Sequence, residues 1–148
     1  MEIPNELFNQ DFWLNLRKQT SARRVVGTES AGYCTLWSLE SYHLLEKMGL
    51  ADLFKIVRLE MNKYKLEKGD CHDWLELRKG EERIFLADGT AGQFFPECTL
   101  GLYTHIEKIP ESMRSFYNSK TWSRLPQEDL QMSNIRERFM EYSPVLFR

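Results

Sequence analysis

Two β-type segments folded back on each other around Lys79-Gly80-Glu81-Glu82 constrain this chain more than any other feature. The runs His72–Arg78 and Arg83–Ala87 suit strands, and the tetrapeptide between them carries the glycine that tight hairpin turns favour. Alternation along the first run puts His72, Trp74 and Glu76 on one face, with Leu75 and Leu77 on the other. A three-residue loop with Gly80 in a left-handed position sets His72 directly opposite Asp88, their Cβ atoms about 5 Å apart. A four-residue loop instead sets His72 opposite Gly89 and turns Asp88 away, unless a bulge intervenes.

Around this hairpin the pattern is helical before and mixed after. Asn5–Gln19 reads as an opening helix with Leu7, Phe8, Trp13, Leu14 and Leu16 as its apolar members and Asn5 as N-cap after Pro4. Thr20–Tyr33 reads as a loop, with Val25-Val26 a candidate short strand. Cys34–Met48 is the clearest helix and Gly49 is its stop. Its core stripe is Trp37, Leu44, Leu45 and Met48, and Cys34, Ser38 and Ser41 make a second, small-residue face against which a sheet can pack closely. Phe54–Met61 and Leu100–Ile109 read as strands, Lys63–Asp70 as a charged connector or edge strand, Pro110–Tyr117 as a helix, and Pro126–Tyr142 as a surface helix with loops. The expectation is a single α+β domain over residues 1–148, in which the helix opened by Cys34 packs on an antiparallel sheet.

At 148 residues, 42% apolar and 13% aromatic, the chain has the length and composition to bury its own core. Its 20 basic and 22 acidic residues are interspersed, which leaves no basic stripe for nucleic acid, and no apolar run is long enough to span a bilayer. The N-terminus lacks the charged and apolar regions of a secretory signal. Three cysteines at unrelated spacings argue for a reducing compartment and against a disulfide framework. The expected localisation is therefore cytoplasmic as synthesised, with no nucleic-acid or membrane partner. Export by a needle-type machine needs no cleavable signal, so action inside a host cell is compatible with this.

Cys34, His72 and Asp88 are the candidate catalytic residues. A thiol at a helix start gains thiolate character from the helix dipole, an imidazole relays its proton, and a carboxylate orients the ring. The Cys34 amide is a candidate oxyanion donor, and Thr28 and Ser30 lie close before it. Taken singly, Cys34 reads more simply as an inert core thiol and His72 as a structural histidine. His43 and His105 are read as structural, and Cys71 as core because it points away from the His72 face. A zinc site from Cys34, Cys71, His72 and Cys98 is the weaker alternative, since no C-x-x-C pair is present. Neither metal nor cofactor is expected.

The string His72-x-Trp74-x-Glu76, followed by Asp88-x-Thr90, resembles the core of the transglutaminase-like superfamily of papain-like thiol enzymes. Gly32-Tyr33-Cys34 matches its G-x-C at a helix start, and Asp88 to Phe94 resembles the D-x-T-x-x-Q-F ending of many small bacterial members. The likeness spans roughly residues 30 to 95. It implies a papain-like core and maps the family's catalytic cysteine, histidine and aspartate onto Cys34, His72 and Asp88. The chain is too small for the β-sandwich and barrel modules of the large animal crosslinking enzymes. It also lacks the family's usual small-residue run and R-x-V before the histidine strand, so calcium dependence and crosslinking are not expected.

The function expected from this resemblance is that of a thiol-dependent amide hydrolase acting through an acyl-enzyme on a protein or peptide substrate. Deamidation of glutamine in a host protein, in the manner of small bacterial effectors and toxins, is the first choice. A cysteine peptidase or a peptide-processing acyltransferase is the alternative with the same chemistry. A non-catalytic binding module on the same fold is the alternative of another class.

Overall fold

Among the described residues, five strands pair antiparallel into one sheet: β1 (Phe54–Leu59), β2 (Asp73–Lys79), β3 (Glu82–Asp88), β4 (Leu102–His105) and β5 (Thr121–Arg124), in the spatial order β4-β3-β2-β1-β5. They belong to a computed structural model that describes residues 2–30, 33–59, 72–118 and 121–124. Among the described residues three α-helices accompany them: α1 (Gln10–Lys18), α2 (Cys34–Lys47) and α3 (Glu111–Tyr117). The chain is thus α+β with an antiparallel sheet, as its patterning implies.

Strand alternation sorts the core into two layers. Phe54 and Ile56 of β1, Leu75 and Leu77 of β2, and Phe85 and Ala87 of β3 pack with Trp13 and Leu16 of α1 and with Leu36, Trp37, Leu39 and Leu45 of α2. The intervening residues Val57, Leu59, Trp74 and Leu86 pack on the opposite face with Met113, Phe116 and Tyr117 of α3, and with Ala91 and Cys98 from the segment after β3. Both faces of the central strands are therefore covered, which is why Asp73–Leu77 is buried without a break. Polar residues at these positions must then find partners inside the protein.

The hairpin differs from the expected one in a way that matters for the site. Lys79 pairs with Glu82, so the loop is the two residues Gly80-Glu81, and Gly80 takes φ 61°. Carried on unbroken, that register would turn Asp88 away from the His72 face. Between Leu77 and Arg78 the register shifts: Arg78 pairs with Arg83 but Leu77 pairs with Phe85, leaving Ile84 as an extra residue on β3. The bulge reverses the parity of every later pair, and Leu75 meets Ala87. Continued to the strand ends, this register makes His72 a diagonal neighbour of Asp88 on a shared face, not its direct partner.

Other expectations shift locally. The opening helix is split: Asn5–Phe8 forms a 3₁₀ turn, and Asn9 takes the cap of α1 by accepting from the Asp11 amide (2.9 Å). Val25-Val26 is not a strand but lies between 3₁₀ turns at Ser21–Arg24 and Gly27–Ser30. Helix α2 ends as expected, with Gly49 at φ 76° and the Leu50 amide returning to the Leu45 carbonyl. Met48 falls at its cap and is 45% exposed, outside the core stripe. The late strand is only Leu102–His105 because the chain turns into 3₁₀ at Ile106–Lys108, and edge strand β5 has no counterpart in the expected elements. The expectations for Gly32, Lys63–Asp70, Cys71 and Pro126–Tyr142 lie outside the described residues.

Candidate active site

His72 immediately precedes β2 and Asp88 ends β3, so both sit at the same end of the sheet. His72 Nε2, the ring nitrogen farther from the backbone, lies 2.6 Å from Asp88 Oδ2. Neither side chain is exposed. The ring is packed by Phe94 edge-on (centroids 4.9 Å), Phe116 (5.5 Å) and Trp74 (5.6 Å), so its neighbours are aromatic faces and not bulk water.

Asp88 is held on both oxygens. Oδ2 also accepts from the Tyr117 hydroxyl at 2.6 Å, and Oδ1 accepts from the Thr90 amide at 3.1 Å. Burial first, and then the charge and hydrogen bond of Asp88, push the Tyr117 phenol well above its ordinary range, so its hydroxyl stays a neutral donor. A carboxylate fixed by three partners has one orientation to offer the imidazole.

Cys34 is the first residue of α2 and is buried. Two contacts bring this helix start to the His72–Asp88 end of the sheet. The Thr35 hydroxyl donates to Asp73 Oδ2 at 2.8 Å, joining the residue after Cys34 to the residue after His72. Asp73 is fixed in turn by a bidentate contact from Arg58 (2.8 and 3.1 Å). One helical turn on, the Trp37 ring lies against Gly89, the residue after Asp88; a Cβ there would meet Trp37 at 2.1 Å. Arg17 of α1 adds a third hold on this segment by donating from Nε to the Gly89 carbonyl (2.9 Å).

The three residues singled out from sequence are therefore distributed as follows. His72 and Asp88 are in direct contact, on the sheet face covered by α3. Cys34 opens the helix that covers the other face, and its first turn is anchored to the residues adjoining both. Of the proposed oxyanion helpers, the Ser30 hydroxyl is engaged by the Gly27 carbonyl within its own turn, while Thr28 is exposed. His105 stacks on Phe8 (4.9 Å), and the part-exposed His43 lies 3.7 Å from Glu46. Burial, then the charges of Glu97 and Asp88, push the Cys98 thiol up to about 11. Among the described residues no group of three or more His, Cys, Asp and Glu could hold a metal ion.

Tyr117, Thr35, Asp73 and Arg17 are the residues that sequence reading missed. The Tyr117–Asp88 and Thr35–Asp73 bonds span 29 and 38 positions, and no local pattern announces pairings of that range. The third residue of the histidine motif proves to be an organiser of the hairpin: buried Glu76 accepts from Trp74, Arg78 and Arg83. In comparisons with protein families, curated proteins and solved structures, nothing matches this chain.

Proposed function

We propose that the chain is a thiol-dependent amide hydrolase of transglutaminase-like, papain-like type, with Cys34 as nucleophile, His72 as base and acid, and Asp88 as the orienting carboxylate. The observation that carries the reading is the buried 2.6 Å contact between His72 Nε2 and Asp88 Oδ2, beside a helix that begins at Cys34. With Nε2 held by Asp88, Nδ1 is the nitrogen that takes the thiol proton. The thiolate then attacks the substrate carbonyl carbon and an oxyanion forms. His72 returns its proton to the leaving nitrogen and a thioester remains. Water, deprotonated by His72, attacks the thioester and releases a carboxylic acid and the free thiol. On a glutamine side chain the leaving group is ammonia and the product is glutamate; on a peptide bond the same steps cut the chain. Glutamine deamidation in a target protein of a host cell is the substrate class we favour, with peptidase or acyltransferase activity as the alternative.

The complete burial of His72 and Asp88 favours a second reading, in which the pair is a core hydrogen bond of a non-catalytic binding module. Alkylation separates the two. The catalytic reading requires iodoacetamide to modify Cys34 at pH 6–7 at least tenfold faster than Cys98, and His72→Ala to abolish the difference. Equal rates, or a preference that survives His72→Ala, would overturn it. Intact-mass spectrometry of candidate protein substrates then sorts the chemistry, since deamidation adds about one mass unit and proteolysis divides the chain.

A further inference from the structure

Residues 17–24 contain four cations (Arg17, Lys18, Arg23 and Arg24) and no acid, in a chain whose net charge is -2. Among the described residues none of the four joins an ion pair. Arg17 is only 4% exposed, and its Nε and Nη2 donate to the carbonyls of Gly89 and Val25 (2.9 and 2.7 Å). These carbonyl oxygens accept from two of its five N–H groups without cancelling its charge, and burial lowers the guanidinium from its ordinary value. Beside it opens a cleft of about 270 Å³ lined by Leu14, Arg17, Lys18, Arg23 and Leu100. Among the described residues Leu100 is one of three large apolar side chains left substantially exposed, at 43%.

We propose that this cleft binds a peptide segment in which an apolar side chain adjoins a carboxylate. The apolar group lies between Leu14 and Leu100, and the carboxylate meets the exposed Lys18 and Arg23, the latter braced by donating from Nη1 to the Thr20 carbonyl (3.1 Å), in the field of the buried Arg17 charge. Charge complementarity selects the anion: the buried Glu40 carboxylate in this region is taken up by the Ser21 amide and hydroxyl (3.0 and 3.3 Å), and none of the four cations forms an ion pair among the described residues. The two leucines select against a bare inorganic ion, and the volume suits one or two side chains rather than a folded partner. This site is independent of the thiol chemistry, although Arg17 reaches from it to Gly89, next to Asp88.

The test titrates acetyl-Leu-Glu-amide, acetyl-Leu-Gln-amide and inorganic phosphate into the isotope-labelled full chain and follows backbone and methyl shifts. The glutamate peptide is expected to bind with a Kd on the order of 1 mM, to move Leu14 and Leu100, and to bind at least fivefold more tightly than the glutamine peptide. The double variant Lys18→Glu/Arg23→Glu, both at exposed positions, is expected to lose this binding while its other shifts persist. Equal affinity for the two peptides, shifts that map elsewhere, or binding unchanged in the double variant would overturn the proposal. Phosphate that competes as strongly as the glutamate peptide would overturn the peptide assignment and leave a simple anion site.

Discussion

Trp37 rests on Gly89 with no room for a side chain, and this contact ties the helix that begins at Cys34 to the strand end that carries Asp88. An indole ring on a bare backbone is a close approach that only glycine permits. The ring itself is fully buried and cannot swing away.

Gly89→Ala is expected to destabilise the protein by about 1–3 kcal/mol or more, because the new methyl must displace Trp37 in a packed core. Denaturant unfolding and the near-ultraviolet circular dichroism of the tryptophans measure both effects. An unchanged midpoint with an unchanged spectrum would mean that α2 is free to move relative to β3.

Cys34→Ala is expected to abolish amide hydrolysis and to cost about 1 kcal/mol of stability, since a single sulfur is removed from the first turn of a helix. Cys34→Ser should be almost as inactive, the hydroxyl being a far weaker nucleophile. Substantial ammonia release or cleavage by Cys34→Ala would end the thiol mechanism.

Asp88→Asn should lower kcat/KM by at least about 10²-fold, yet less than loss of Cys34 or His72, because in the proposed mechanism the carboxylate orients the ring without reacting. It should also destabilise. An amide in this place cannot accept from Tyr117, His72 and the Thr90 amide together, and one buried donor left without its acceptor costs about 1–3 kcal/mol. Unchanged kinetics accompanied by lowered stability would assign Asp88 to the core alone.

Tyr117→Phe removes one donor from a carboxylate and is expected to cost about 2 kcal/mol in unfolding experiments. Turnover should fall about tenfold or less, through looser placement of Asp88, while KM changes little. A stability equal to that of the parent would show that the Tyr117–Asp88 hydrogen bond contributes nothing net.

Glu76 makes acid stability testable. Burial pushes its carboxyl up, but hydrogen bonds and charge from Arg83, with Trp74 and Arg78, hold it below its ordinary 4.5. The folded value is the lower one, so the Glu76 contribution is complete above about pH 4.5 and is lost as pH falls through the folded value. Glu76→Gln should therefore cost about 3 kcal/mol at pH 7, by leaving two arginines without their buried acid, and should flatten the stability profile below pH 4.5. Parallel profiles for parent and variant would remove Glu76 from the acid transition.

Much of this architecture was legible along the chain. The helix opened by Cys34 with its stop at Gly49, the two-residue alternation about Gly80, and Pro110 before α3 are each written within a few neighbouring positions, whereas the core stripe of that helix was not, since Leu36 and Leu39 join the core and Met48 does not. A turn or a helix end is decided by that local chemistry. Whether His72 and Asp88 share a face was not decided there. It turns on the single extra residue Ile84, a bulge that settles only when both faces of the sheet are packed. The hold of Tyr117 on Asp88, of Thr35 on Asp73 and of Arg17 on Gly89 spans 29, 38 and 72 positions. Such pairings follow from the burial of polar groups that must find partners wherever the folded chain brings them, and they become visible only in three dimensions.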